Sequence, residues 1–160
     1  MTNETKYDFC DGNGPVAAHQ HSNGGGWVAD TAKVADTAYV GPDAKVHGNA
    51  KVYGYANVSG YAMVSGNAVV YGNAQVFANA QVSGNALVSK FFPQSIRSDG
   101  YTFVYVPMSD GLFHIQTGCR NMTIDEYMNH INTYDCEKKK KETLLILEFL
   151  KAQNEVLNLD

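Results

Sequence analysis

The chain has 160 residues, 44 % of them apolar, and a formal net charge of -4. That is enough for one compact domain or a small pair, and too acidic for nucleic-acid binding that relies on phosphate neutralisation. Three cysteines without Cys-x-x-Cys spacing, an N-terminus with no signal-peptide pattern and a longest apolar run of only Leu144 to Leu147 point to a reduced, cytoplasmic protein with no membrane span.

Residues 1–26 are turn-rich, with Phe9-Cys10-Asp11-Gly12-Asn13-Gly14-Pro15, then His19-Gln20-His21, then a triple glycine ahead of Trp27. A segment of this kind is expected to cap the open end of a solenoid beginning at Trp27. Cys10, His19 and His21 are metal-ligand types, and alternate residues on an extended strand project to one side. They lack a clear fourth ligand, with Asp11, His114 or Cys119 as the available additions, and capping accounts for them equally well. The expectation is therefore no metal.

From Trp27 to Ser89 valine stands at 28, 34, 40, 46, 52, 58, 64, 70, 76, 82 and 88, and alanine two residues before each valine from 34 onward. Every unit reads Ala-x-Val-x-x-x. Alternation along a strand puts Ala and Val on the same, inward side. Gly-Asn follows many of the valines and tolerates tight corners. A short strand and a corner every six residues cannot make a flat sheet, but three units close one triangular coil, and eleven give three to four coils.

Stacking every eighteenth residue sorts the outer positions into columns, and Tyr53, Tyr71, Phe77, Met63, Val69 and Leu87 all fall on the outside. A contiguous apolar patch there marks a covered surface. Either the C-terminal segment folds back over it or a second subunit does, with a trimer favoured and a dimer possible.

Past Ser89 the beat stops at Phe91-Phe92-Pro93. Tyr101 to Val106 and Leu112 to Gln116, joined through Ser109-Asp110-Gly111, read as a β-hairpin. Thr123-Ile124-Asp125-Glu126 has capping-box spacing and starts a helix to about His130. A second helix from about Glu137 to Leu157 carries Leu145, Phe149, Ala152 and Val156 as an apolar stripe that must pack on the hairpin, the coil or another chain. Lys138 to Lys141 reads as a solvated helix start, with an acidic partner as the minority reading. Cys119 has Arg120 beside it but no evident activating base.

The Ala-x-Val repeat resembles the hexapeptide-repeat family of left-handed parallel β-helices. The resemblance implies a mainly β fold: a capping segment over 1–26, the left-handed β-helix over 27–89, and a small α+β module (hairpin plus two helices) over 90–160. Enzymes of that family are mostly acyltransferases in which a histidine acts as general base on an acyl-CoA thioester. His47 is the one histidine on the repeat, and its column neighbours Ala29 and Ser65 supply no carboxylate to orient it. The gamma-class carbonic anhydrases of this fold hold zinc with three histidines, a pattern that a single coil histidine does not meet.

Lys6-Tyr7-Asp8-Phe9-Cys10-Asp11-Gly12-Asn13-Gly14-Pro15-Val16, together with Ala18-His19-Gln20-His21 and Gly25-Gly26-Trp27-Val28-Ala29-Asp30-Thr31-Ala32, is similar to phage and prophage hexapeptide-repeat proteins labelled as transferases on the repeat alone. The resemblance implies a non-catalytic, homo-oligomeric protein acting by protein–protein contact in the host cytoplasm, with inhibition of a defence system such as a CRISPR nuclease as one concrete form. The alternative is an acyltransferase using His47.

Overall fold

A computed structural model describes residues 5–89, 93–108 and 111–157. The expected break at Phe91-Phe92 and the turn at Ser109-Asp110 lie outside the described residues. Two short strands, β1 (Lys6–Tyr7) and β2 (Val16–Gln20), precede the repeat. The repeat itself forms β3 (Trp27–Ala29), β4 (Lys33–Val34), β5 (Tyr39–Val40), β6 (Lys45–Val46), β7 (Lys51–Val52), β8 (Asn57–Val58), β9 (Met63–Val64), β10 (Val69–Val70), β11 (Gln75–Val76), β12 (Gln81–Val82) and β13 (Leu87–Val88). They stack as three parallel walls: β3-β6-β9-β12, β4-β7-β10-β13 and β5-β8-β11. The coil is thus a parallel β-helix of about three turns.

Register follows the eighteen-residue repeat. Lys33 pairs with Lys51, Lys51 with Val69 and Val69 with Leu87 on the second wall. Trp27, Lys45, Met63 and Gln81 align on the first wall. Every repeat alanine from Ala38 to Ala86 is fully buried, as are the valines from Val40 to Val88, while Val34 is only partly buried. Small side chains fill a narrow interior and each valine contributes roughly 1.5–3 kcal/mol by leaving water. The corners are equally constrained. Gly48 has φ +67°, and a Cβ there would lie 2.9 Å from the Gly66 nitrogen in the coil above, so the stacked corner excludes a side chain.

The two ends are closed differently. At the N-terminal end β2 runs antiparallel to β3 and β1 antiparallel to β2, which extends the first wall. The chain at 21–26 crosses beneath β5, where Gly26 N–H donates to Val40 O and His21 Nε2 lies 3.0 Å from Ala38 O. Among the described residues no strand lies beyond β4 on that side, which explains the incomplete burial of Val34.

At the C-terminal end sits a four-stranded antiparallel sheet, β14 (Gln94–Ile96), β15 (Thr102–Pro107), β16 (Phe113–Thr117) and β17 (Arg120–Thr123), with helices α1 (Ile124–Ile131) and α2 (Glu137–Leu157). The expected hairpin is therefore the middle of a wider sheet; β14 and β17 are too short and too polar to show period-2 alternation. Strand β15 has two working faces. Val104, Val106 and Met108 join the coil's core, whereas Phe103 and Tyr105 pack with Ile115, Tyr127, Ile131, Leu147 and Leu150. Gln116, opposite Val104 in the ladder, accepts from Ser83 N–H and donates to Ser83 O, both at 3.0 Å. One side chain supplies the pairing that a further coil would have given the first wall. Thr123 caps α1 with the expected reciprocal capping box to Glu126.

Of the three surfaces expected for the α2 stripe, neither the hairpin nor the coil takes it. Thr143, Ile146, Leu147 and Leu150 face the core, and Leu145, Phe149, Ala152 and Val156 face outward. Both sets recur at helical spacing, and a helix with Leu144 to Leu147 in series offers two apolar faces where the sheet can cover one.

Candidate functional site

The first wall carries His47, and the N-terminal segment covers it. Tyr7 stacks on Trp27 with centroids 4.4 Å apart, and Phe9, fully buried, stacks on the His47 imidazole at 4.9 Å. Between them the chain folds tightly: Asp8 accepts from Cys10 N–H, Asp11 accepts from Asn13 N–H, and Cys10 sits at φ +60°. Asp and Asn make such local turns through their short polar side chains. The result brings Asp11 Oδ2 to 3.3 Å from His47 Nδ1.

Two features of His47 come from this strap and not from its own column. The residue is only 6 % exposed, because the strap lies over it. It does have a carboxylate, contributed by the N-terminal segment and not by its own column. The signal for this was the density of Asp, Asn and Gly between Asp8 and Gly14, which forecast a turn without saying what the turn would face. Burial pushes the His47 pKa down, and this outweighs the opposite pull of Asp11. Asp11 is itself held below its ordinary value, first by the Asn13 N–H and in smaller part by His47. His47 Nε2 is buried without a hydrogen-bond partner, and Phe9 closes one face of the ring. An Asp-oriented imidazole is the arrangement of a general base, but a base must reach its substrate's proton.

The three metal-type residues are engaged separately. His19 Nδ1 lies 2.7 Å from Asp30 at the surface, His21 is buried against Ala38 O, and Cys10 is exposed. His19 and His21 do not share a side, because β2 ends at Gln20 and the chain turns. Among the described residues no group of three or more His, Cys, Asp or Glu side chains is placed to hold a metal ion.

The second wall is different in kind. Tyr53 and Tyr71 stack with centroids 5.4 Å apart, and Val69 and Leu87 align in the neighbouring column above Lys33 and Lys51. Tyr53 is 44 % and Leu87 40 % exposed, and Tyr55 on the adjoining corner is more exposed still. Among the described residues the C-terminal segment does not fold back over this wall, since it closes the end of the coil. Phe77, with Tyr39, is exposed on the third wall, and Met63 is half-buried on the first. On α2, Leu145 is 66 % and Phe149 48 % exposed. The interface residues named from sequence thus fall on four separate surfaces: Tyr53, Tyr71, Val69 and Leu87 share the second wall, Leu145 and Phe149 share the outer face of α2, and Met63 and Phe77 stand apart on the first and third walls.

No described helix is long and apolar enough to cross a membrane. Comparison with family models, with curated proteins and with solved structures returns no match. Fold and site define a capped parallel β-helix with one strapped wall and one open aromatic wall.

Proposed function

We propose that this chain is a non-catalytic binding protein that self-associates through the second wall of its β-helix and acts by protein–protein contact. The observation that carries the reading is the stacked Tyr53–Tyr71 pair, Tyr53 exposed and Tyr71 half-buried beside it, on a wall whose interior is already full of Ala and Val. Rings in that position cannot serve the monomer's core, and aromatic residues are the commonest anchors of interfaces. The parallel walls of a β-helix suit a symmetric homo-oligomer, a trimer or a dimer. The likeness of residues 6–89 to phage and prophage repeat proteins supports a role against a host defence system, a CRISPR nuclease being one form of such a partner.

Sedimentation equilibrium of the chain tests self-association directly: a multimer is expected, and a monomer at every concentration would overturn this reading. One observation favours a second reading, namely the Asp11–His47 pair. As an acyltransferase the chain would move an acyl group from acyl-CoA with His47 as base, and acetyl transfer that disappears in His47→Ala would establish it. The burial of Nε2 beneath the strap supports the binding reading over this one.

A further inference from the structure

We propose that the cleft between β17, the α1–α2 loop and the start of α2 binds a small organic anion carrying an aromatic ring, of the size class of a nucleoside monophosphate. This rests on a different part of the molecule from the coil walls and is independent of their role. The cleft encloses about 320 Å³ and is lined by Tyr101, Arg120, Tyr127, Tyr134 and Lys139, with Arg97 at its base. That volume is at the lower end of small-molecule sites.

Its charges do not cancel. The Arg97 guanidinium is buried and engaged through all three nitrogens: Nε and Nη2 donate to the two oxygens of Asp99 at 2.8 Å, and Nη1 donates to Thr143 Oγ1 at 2.9 Å. Lys139 Nζ lies 3.1 Å from the same Asp99 carboxylate, so one acid serves two cations. Arg120 is exposed at the start of an edge strand and makes no ion pair or side-chain hydrogen bond among the described residues. Asp135 is the one acid of the lining, against Arg97, Arg120 and Lys139, and with Asp99 counted beside it the cleft is still net positive, in a chain of net charge -4.

The beginning of α2 deepens this. Lys140 N–H donates to Cys136 O, so the helix opens at the cleft, and the first-turn N–H groups have no intrahelical partners. The helix dipole disfavours cations at this end, yet Lys138 to Lys141 stand there. Two of them reach helix acids only at 3.9 and 4.0 Å. Of these lysines Lys139 lines the cleft, and an anion held there satisfies both the dipole and that lysine.

The aromatic requirement comes from the walls. The Tyr127 and Tyr134 hydroxyls are 3.1 Å apart, and burial raises the Tyr127 pKa further above neutrality, so the pair offers a neutral O–H and not a phenolate. The Tyr101 ring is half-exposed at the rim, with the Arg97 guanidinium 5.3 Å from its centroid, leaving a π-face for a second ring.

Calorimetric titration with AMP, adenosine and inorganic phosphate as separate probes tests the site. AMP is expected to bind, with adenosine and phosphate each weaker by ~10-fold or more. Arg120→Gln should weaken AMP ~10-fold at an unchanged melting temperature, and Tyr101→Ala should bring AMP down to the affinity of phosphate. No detectable AMP binding, or Arg120→Gln binding AMP as the parent does, would overturn the site. Phosphate binding as tightly as AMP would overturn its aromatic half.

Discussion

In the coil the buried side chains are alanine and valine at the same two positions of every unit, each meeting the same residues one turn above and below. In the C-terminal sheet and helices they are Tyr127, Phe103, Ile115, Leu147 and Leu150, no two of which have the same surroundings. The coil is therefore specified by repetition and the module by individual fit. A third kind of packing joins them: β15 gives one face to each core, and Gln116 imitates a coil strand for Ser83.

The sharpest way to break this contrast is inside the coil. Val58 is fully buried on the third wall between Val40 and Val76. Val58→Asp buries an unpaired carboxylate at several kcal/mol, comparable to the whole stability of a small domain. Circular dichroism should show no cooperative fold; a melting point within a few degrees of the parent would refute the inward assignment.

The next effect separates the two faces of α2. Leu147→Ala should cost ~2–5 kcal/mol, as large-to-small changes in a packed core do. Leu145→Ala, two residues away, should stay within ~0.5 kcal/mol in the monomer. Equal losses in denaturant titration would mean that the outer stripe is core after all. Smaller again is Gln116→Ala, which leaves the Ser83 N–H and C=O unpartnered at the end of the coil. A loss of ~1–3 kcal/mol is expected, and no measurable loss would show that Gln116 does not close the wall.

The smallest effect is a pH dependence at the strap. Because burial lowers the folded pKa of His47 below its ordinary 6.5, the folded state takes up fewer protons than the unfolded chain in the window below that value. Stability from this group is whole above about pH 6.5 and falls as pH drops through the window toward the folded pKa. Between pH 6.5 and about 5, above the ordinary carboxylate range, the parent should lose stability and His47→Gln should lose less. Parallel pH profiles would count against burial under Phe9.

The coil was legible because its period is its geometry: six residues per wall and eighteen per turn fix which side chains stack, down to the Lys33–Lys51–Val69–Leu87 column. The α1 capping box was legible because it is local. What was not legible depended on contacts between distant segments. Asp11 meets His47 only because β1 and β2 extend the first wall. The buried face of α2 is chosen by the sheet beneath it, and the helix sequence offers two. Arg97, Asp99 and Thr143 come together from a turn and a helix more than forty residues apart, with no motif to announce them.

The central claim is that the open second wall is an interface while the strapped first wall is not. Sedimentation velocity on the parent and on the Tyr53→Ala/Tyr71→Ala double variant tests it most directly, since interface aromatics commonly contribute ~2 kcal/mol or more each when truncated. The expected result is a multimeric parent and a variant shifted toward monomer with its circular dichroism spectrum intact. A variant that assembles as the parent does, or a parent that stays monomeric throughout, would contradict the claim.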